Sequence, residues 1–350
     1  MGSPGGPSCG SGECVTSTQP RTRRTTLSVL AAATVVAAPV LLAGPAAGSG
    51  SPGSVQPAGH GQAVRTVETV HLPGGFAPEG ITDDGRTTLF VGSLGPLRGS
   101  AANGAIYAAD VRTGNGRIAV PGAEGRVTVG ITYDRGRIWA AGGTTGVVRL
   151  HDARTGRLIR SWTVPGAGFL NDLVVTPHGV YVTDSAVPQL TVIPFGRHGA
   201  LPDEPTVLPL TGVTYVPDAA NVNGIVAYHG GRDLVAVQSS TGKLFRVDPR
   251  TAAATEIPVE GGSLENGDGL ERARGKLYVV RNRDNLVAEV QVTKGLDAGR
   301  VVRTLTDPQL DIPSTATYAA GYLWAVNARF TTNPVTPETT FTVERVSLRR

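Results

Sequence analysis

Apolar and polar positions along this chain fall into short β-type runs, and no comparably long segment carries the 3.6-residue apolar spacing of a helix. Four of the runs follow directly on a glycine: Arg-Ile-Trp-Ala-Ala after Gly136, Val-Tyr-Val-Thr-Asp after Gly179, Lys-Leu-Tyr-Val-Val after Gly275 and Tyr-Leu-Trp-Ala-Val after Gly321. Upstream strand starts align in six copies: Glu79-Gly-Ile-Thr, Val129-Gly-Ile-Thr, Asn171-Asp-Leu-Val, Asn223-Gly-Ile-Val, Asp268-Gly-Leu-Glu and Thr315-Ala-Thr-Tyr. Their successive spacings are 50, 42, 52, 45 and 47 residues. Several short strands per period of this length predict propeller blades and not a helical solenoid.

A second repeat agrees in phase. Asp110-Val-Arg-Thr-Gly114, Asp152-Ala-Arg-Thr-Gly156 and Asp248-Pro-Arg-Thr251 each lie between two apolar runs, where Asp and Gly supply the turn chemistry of a hairpin joining the outer strands of a blade. The expected fold is all-β, a six-bladed β-propeller with four-stranded antiparallel blades. The last blade, from Ser314 onward, is one strand short, and the segment from Ala63 to Leu72 is expected to fill the gap and close the ring, removing an open sheet edge.

With 350 residues, 40% of them hydrophobic, the chain is long enough for one large, well-buried domain. Residues 1–47 read as an export signal that resembles the twin-arginine type: Arg21, Arg23 and Arg24 form a basic region, Leu27 to Leu42 an apolar stretch, and Ala43 to Ala47 a small-residue exit. Residues 48–62, rich in Gly, Ser and Pro, read as a flexible linker, and 63–350 as the propeller. The apolar stretch holds 16 residues including Pro39, short of the roughly 20 a spanning helix needs, so the expectation is a secreted protein without a stable membrane anchor. Both cysteines, Cys9 and Cys14, precede that stretch, so the exported domain should contain no disulfide. The formal charge of +4 falls to about +2 without the signal, and no basic cluster argues for nucleic acid. A monomer acting on a small molecule is expected.

The chemistry comes from the register. Innermost strands run along the central channel of a propeller, so their first residues surround one point even when they lie 189 residues apart, as Glu79 and Asp268 do. These two bring negative charge, and Asn171 and Asn223 bring neutral carbonyl oxygens. Val129 and Thr315 lack ligand character. Oxygen-only ligation with two charges suits a hard divalent cation, Ca²⁺ first, with Mg²⁺ and Mn²⁺ as alternatives. The ends of the second strands should face the same mouth, which nominates Ser93, Asp184-Ser185, Ser239-Ser240, Arg281 to Arg283, and Asn327 with Arg329 as substrate contacts. Six histidines without a His-x-His pair argue against a redox metal, and the chain has neither a Gly-x-Ser-x-Gly elbow nor a His-Glu-x-x-His helix.

At these residues the chain resembles the senescence marker protein/gluconolactonase family of six-bladed propellers, related to luciferin-regenerating enzymes and more distantly to paraoxonases and strictosidine synthases. The resemblance covers about residues 70 to 350. Ala77-Pro-Glu79-Gly is similar to the family's first-blade glutamate motif, Leu170-Asn171-Asp172 to its Phe-Asn-Asp-Gly, Val222-Asn223-Gly224 to its Pro-Asn-Gly and Gly267-Asp268-Gly269-Leu to its Pro-Asp-Gly. It implies that Glu79, Asn223 and Asp268 ligate a divalent ion, with Asn171 auxiliary and near the substrate. It further implies a lactonase mechanism in which the metal polarises a carbonyl and Asp268 is the general base for water. The chain departs from the pattern at Phe169, where sugar-lactone members carry arginine, and that position is expected to shape substrate choice. The sequence therefore supports an exported metal-dependent hydrolase of a lactone or small ester, and alternatively a non-catalytic binding propeller whose central ion is structural.

Overall fold

The computed structural model describes residues 64–95 and 104–348, and the expectations for residues 1–47 and 48–62 fall outside them. The chain enters with β1 (Thr69–His71) and then lays down blades in order. Blade 1 is β2 (Pro78–Asp83), β3 (Thr88–Ser93), β4 (Ile106–Asp110) and β5 (Gly116–Val120); blade 2 is β6 (Ile131–Asp134), β7 (Arg137–Ala141), β8 (Val147–Asp152) and β9 (Leu158–Thr163). Blade 3 is β10 (Leu170–Thr176), β11 (Gly179–Asp184), β12 (Gln189–Pro194) and β13 (Thr206–Pro209); blade 4 is β14 (Val222–Tyr228), β15 (Asp233–Gln238), β16 (Lys243–Val247) and β17 (Ala254–Ile257). The short β18 (Val259–Glu260) precedes blade 5, which is β19 (Gly267–Ala273), β20 (Lys276–Arg281), β21 (Leu286–Val292) and β22 (Gly299–Thr306). Blade 6 is β23 (Pro313–Ala319), β24 (Tyr322–Asn327) and β25 (Thr342–Val346), completed by β1 on its outer edge.

The result is the expected six-bladed β-propeller, closed by the N-terminal strand. One feature was not expected: β18 adds to β22 in parallel, giving blade 5 a fifth strand. Every second strand is apolar on both faces because each blade packs against two neighbours. Six hydrophobic clusters fill the six interblade spaces, such as Trp139, Trp162, Leu173 and Val182 between blades 2 and 3. The turns between first and second strands explain the leading glycines. Arg274–Gly275 and Ala320–Gly321 both have two successive positive φ values, 51° with 75° and 51° with 93°, the primed turn that matches strand twist. The repeated aspartates close the outer hairpins, as where the backbone N–H groups of Arg112 and Arg250 donate to Asp110 and Asp248 at 2.7 and 2.8 Å.

Each inner strand except β6 opens with the same irregularity. Pairing skips between Pro78 and Ile81, Leu170 and Leu173, Val222 and Ile225, Gly267 and Leu270, and Pro313 and Ala316. A bulge of this kind re-aims one side chain, and the residue re-aimed is Glu79, Asn171, Asn223, Asp268 or Ser314. The sixth copy therefore requires a correction: Ser314, not Thr315, stands in register with Glu79. Thr315 occupies the place of Gly80, Gly130, Asp172, Gly224 and Gly269. Glycine prevails there because the next blade's inner strand presses close, and a Cβ on Gly130 would lie 2.6 Å from the Asp172 Cα.

Candidate metal centre

Glu79, Asn171, Asn223 and Asp268 all line one cavity of about 430 Å³ along the central channel, and each is only 3–7% exposed. Val129 and Ser314 complete the ring, with the Ser314 hydroxyl donating to the Glu79 carbonyl at 2.6 Å. Neither of these two adds a side-chain ligand.

The amides are pre-aimed by the residues that follow the second strands. Asn171 Nδ2 donates to Ser185 Oγ at 2.8 Å, and that hydroxyl donates to the Val222 carbonyl at 2.8 Å. One blade on, Asn223 Nδ2 donates to Ser239 Oγ at 3.1 Å, and Ser239 donates to the Gly267 carbonyl at 2.6 Å. In blade 5 the same position is Asn282, whose Nδ2 donates to Asp268 Oδ2 at 2.8 Å. With an Nδ2 hydrogen bond to Ser185 or Ser239 fixing each amide, and the Asn223 amide also bonding Asp268, Asn171 and Asn223 keep Oδ1 as the atom to offer a cation. Outer partners that fix ligand orientation are a regular feature of metal sites.

The electrostatics point the same way. Glu79, Asp83, Asp84, Asp172, Asp268 and Glu271 all border the cavity, and no Lys, Arg or His does. Burial, then the charges of Asp268 and Asp172, raise Glu79 well above the carboxylate range. Burial also raises Asp268, against the opposing pull of the Asn282 and Asn223 amides. It pushes Asp172 to about 7, despite N–H groups from Leu173 and Ile225, and Glu271 to about 8, with Asp83 and Asp172 adding repulsion. Unpaired buried carboxylates carry a desolvation cost that a cation would offset. Among the described residues no group of three or more His, Cys, Asp or Glu is arranged to hold a metal. The donor set is two carboxylates and two amides, which fits a hard cation that accepts neutral carbonyl oxygens.

The remaining nominated contacts lie elsewhere. Asp184 is fully buried and accepts from the backbone N–H groups of Gly168, Phe169, Ala186 and Val187 at 2.8–2.9 Å and from Gln189 Nε2 at 3.2 Å, so it ties a loop and has nothing left for a substrate. Arg329 pairs with Asp311 at 2.8 Å and donates to the Thr340 carbonyl. Asn327 and Ser93 are likewise engaged by nearby backbone. None of Asp184, Arg329 and Phe169 borders the channel cavity. Phe169 packs by Gly143 in the mouth, where a Cβ on that glycine would meet its Cε2 at 3.5 Å.

Sequence reasoning passed over Asp172, Asp83 and Glu271. Glu271 closes the Asp268-Gly-Leu-Glu copy, in line with Thr82, Thr132 and Thr317, which stitch adjacent inner strands: Thr132 Oγ1 donates to the Leu173 carbonyl at 2.8 Å and Thr317 Oγ1 to Asp83 Oδ2 at 2.6 Å. The fourth residue of each copy was thus a readable channel position.

No family model matches this chain, and no curated protein matches it. Solved structures do. The chain is similar to the major allergen Mala s 1 of Malassezia sympodialis, at 13% identity and a TM-score of 0.61 over 80% of this chain and 96% of that one. It is similar to a chain of the mitotic checkpoint complex at 8% identity and 0.54, over 86% and 97%. A luciferin-regenerating enzyme aligns at 12% identity and 0.53, over 80% and 94%. At such identities the likeness establishes the propeller fold, which proteins of very different roles share.

Proposed function

We propose that this protein is an exported, divalent-metal-dependent hydrolase of a lactone or small ester, with Glu79, Asn171, Asn223 and Asp268 as ligands and Ca²⁺ as the ion their chemistry suits best. One observation carries the reading: two carboxylates and two pre-aimed amide oxygens converge on a cavity bordered by six carboxylates and no basic side chain. The enzyme name of one structural neighbour is consistent with it.

When bound, such an ion supplies a Lewis acid that polarises a carbonyl and stabilises the developing oxyanion. Asp268, steadied by Asn282, takes the proton of the attacking water. Asn171 and Asn223 orient the carbonyl. Asn223 also borders a second cavity of about 340 Å³ with Ser239, Ser240, Asn266, Asn282 and Arg283.

A second reading has its own support. The four donors come from blades 1, 3, 4 and 5, so an ion there would fasten the ring without chemistry. Metal analysis of the purified protein, combined with a lactone and aryl-ester panel, separates the two. Bound metal with turnover lost in Glu79→Gln and Asp268→Asn supports the hydrolase; bound metal without turnover selects the fastening role, and turnover unchanged in the double variant overturns the hydrolase.

A further inference from the structure

One of the two blades that give the hub no ligand carries a buried cation instead. Arg149, on β8, is 5% exposed, and its Nη2 donates to the Val127 carbonyl. Its Nη1 lies by Gly142, 3.3 Å from where a Cβ would stand. The neighbouring Gly143 occupies, in blade 2, the place that Ser185, Ser239 and Asn282 hold in their blades. Around Gly143 gather Val129 of the hub ring, Val127 and Phe169. The guanidinium therefore stands at the mouth end of blade 2, by the Val127 carbonyl and Gly142.

No carboxylate among the described residues balances its charge. Among the described residues Arg149 makes one hydrogen bond, to a neutral carbonyl, out of five N–H donors, and no carboxylate acts on it. The adjacent charge is a second cation, Arg126, and burial with that repulsion lowers Arg149 to about 10. Buried His151 is held down by its own burial and then by both arginines, so it stays uncharged and leaves the two arginines as the charges of this corner. A buried, unpaired guanidinium is costly to keep, and its planar fork matches an oxyanion in two parallel hydrogen bonds.

We propose that Arg149, with Arg126, forms an oxyanion-binding subsite at the mouth of blade 2, taking a carboxylate or phosphate group of a ligand whose other end reaches the hub. Resting on the hub being a ligand site, this makes the substrate an acid-bearing lactone or ester.

The test is thermal unfolding of wild type, Arg149→Met and Arg126→Gln without added divalent cation, titrated with sodium acetate or sodium phosphate at ionic strength held constant with sodium chloride. Wild-type Tm should rise saturably with one of the two anions, acetate marking a carboxylate subsite and phosphate a phosphate subsite. The rise should vanish in Arg149→Met and shrink by at least half in Arg126→Gln. Without either anion, Arg149→Met should melt at or above wild type, because the buried charge is gone. A wild-type Tm that follows neither anion, or an equal rise in Arg149→Met, overturns the subsite. Should Arg149→Met not fold, a full rise in Arg126→Gln overturns it and a reduced one supports it. No turnover is read, so an inactive hub leaves this result standing, and loss of this result leaves the hydrolase reading intact.

Discussion

Carboxylates in the outer hairpins and carboxylates in the channel are the same chemical groups held in opposite ways. Outside, the Arg112 guanidinium holds Asp110 below its ordinary range, the Thr155 hydroxyl and N–H do so for Asp152, and the Arg250 N–H leads for Asp248. Inside, Glu79, Asp172, Asp268 and Glu271 are pushed upward by burial, with no basic partner on the cavity wall. The outer aspartates build turns and are satisfied locally. The inner ones are left uncompensated by the protein, and such a concentration of perturbed carboxylates in a cleft is a signature of function.

The comparison breaks most visibly at the hub. Glu79→Gln or Asp268→Asn should lower lactone or ester turnover by about 10²–10⁴-fold while circular dichroism stays that of the folded propeller. Next in size is removal of the ion. Chelation should lower Tm, corresponding to about 2.7 kcal/mol at a cation concentration 100 times Kd. Neither Glu79→Gln nor Asp268→Asn should show that full response in a melt with and without chelator.

The third effect is a pH dependence whose sign separates the two regions. Without a cation, folded Asp172 and Glu271 keep protons that the unfolded chain releases, since their folded values of about 7 and about 8 lie above the ordinary 3.8 and 4.5. Their contribution is greatest at low pH and is lost as pH rises through that window. Tm of the chelated protein should therefore fall between about pH 5 and about pH 8. Glu271→Gln should blunt the fall, melting higher than wild type at the alkaline end and equal to it at the acid end. A flat profile would show that water in the channel screens these groups. Smallest of all, Asp248→Asn should cost at most about 1 kcal/mol, as exposed pairs do, and its loss should be indifferent to chelator.

The convergence of Glu79, Asn171, Asn223 and Asp268 was readable because a propeller converts sequence register into convergence: whatever opens equivalent inner strands must meet at the axis. The sixth copy was misread by one residue, because the bulge from Pro313 to Ala316 puts Ser314 in register and no glycine follows to mark it. Asp184 and Arg329 were placed on the right strand ends and given the wrong task. Their sequence context could not show that loop N–H groups would saturate Asp184 or that Asp311 would capture Arg329. Asp83 and Glu271 needed strand geometry to be seen facing one cavity. Arg149 had no signal at all, because it lies on a third strand and reaches the mouth through the length of its own side chain.

By itself, then, the sequence determined the repeat, the blade number, the closing strand and the ring of donors, all consequences of local periodicity and turn chemistry recurring at blade spacing. Tertiary structure alone decided which polar groups are consumed by the backbone around them and which remain available. That depends on partners brought together from distant positions: hydroxyls of one blade on carbonyls of the next, six carboxylates around a cavity without a basic side chain, and a buried arginine that no carboxylate among the described residues pairs.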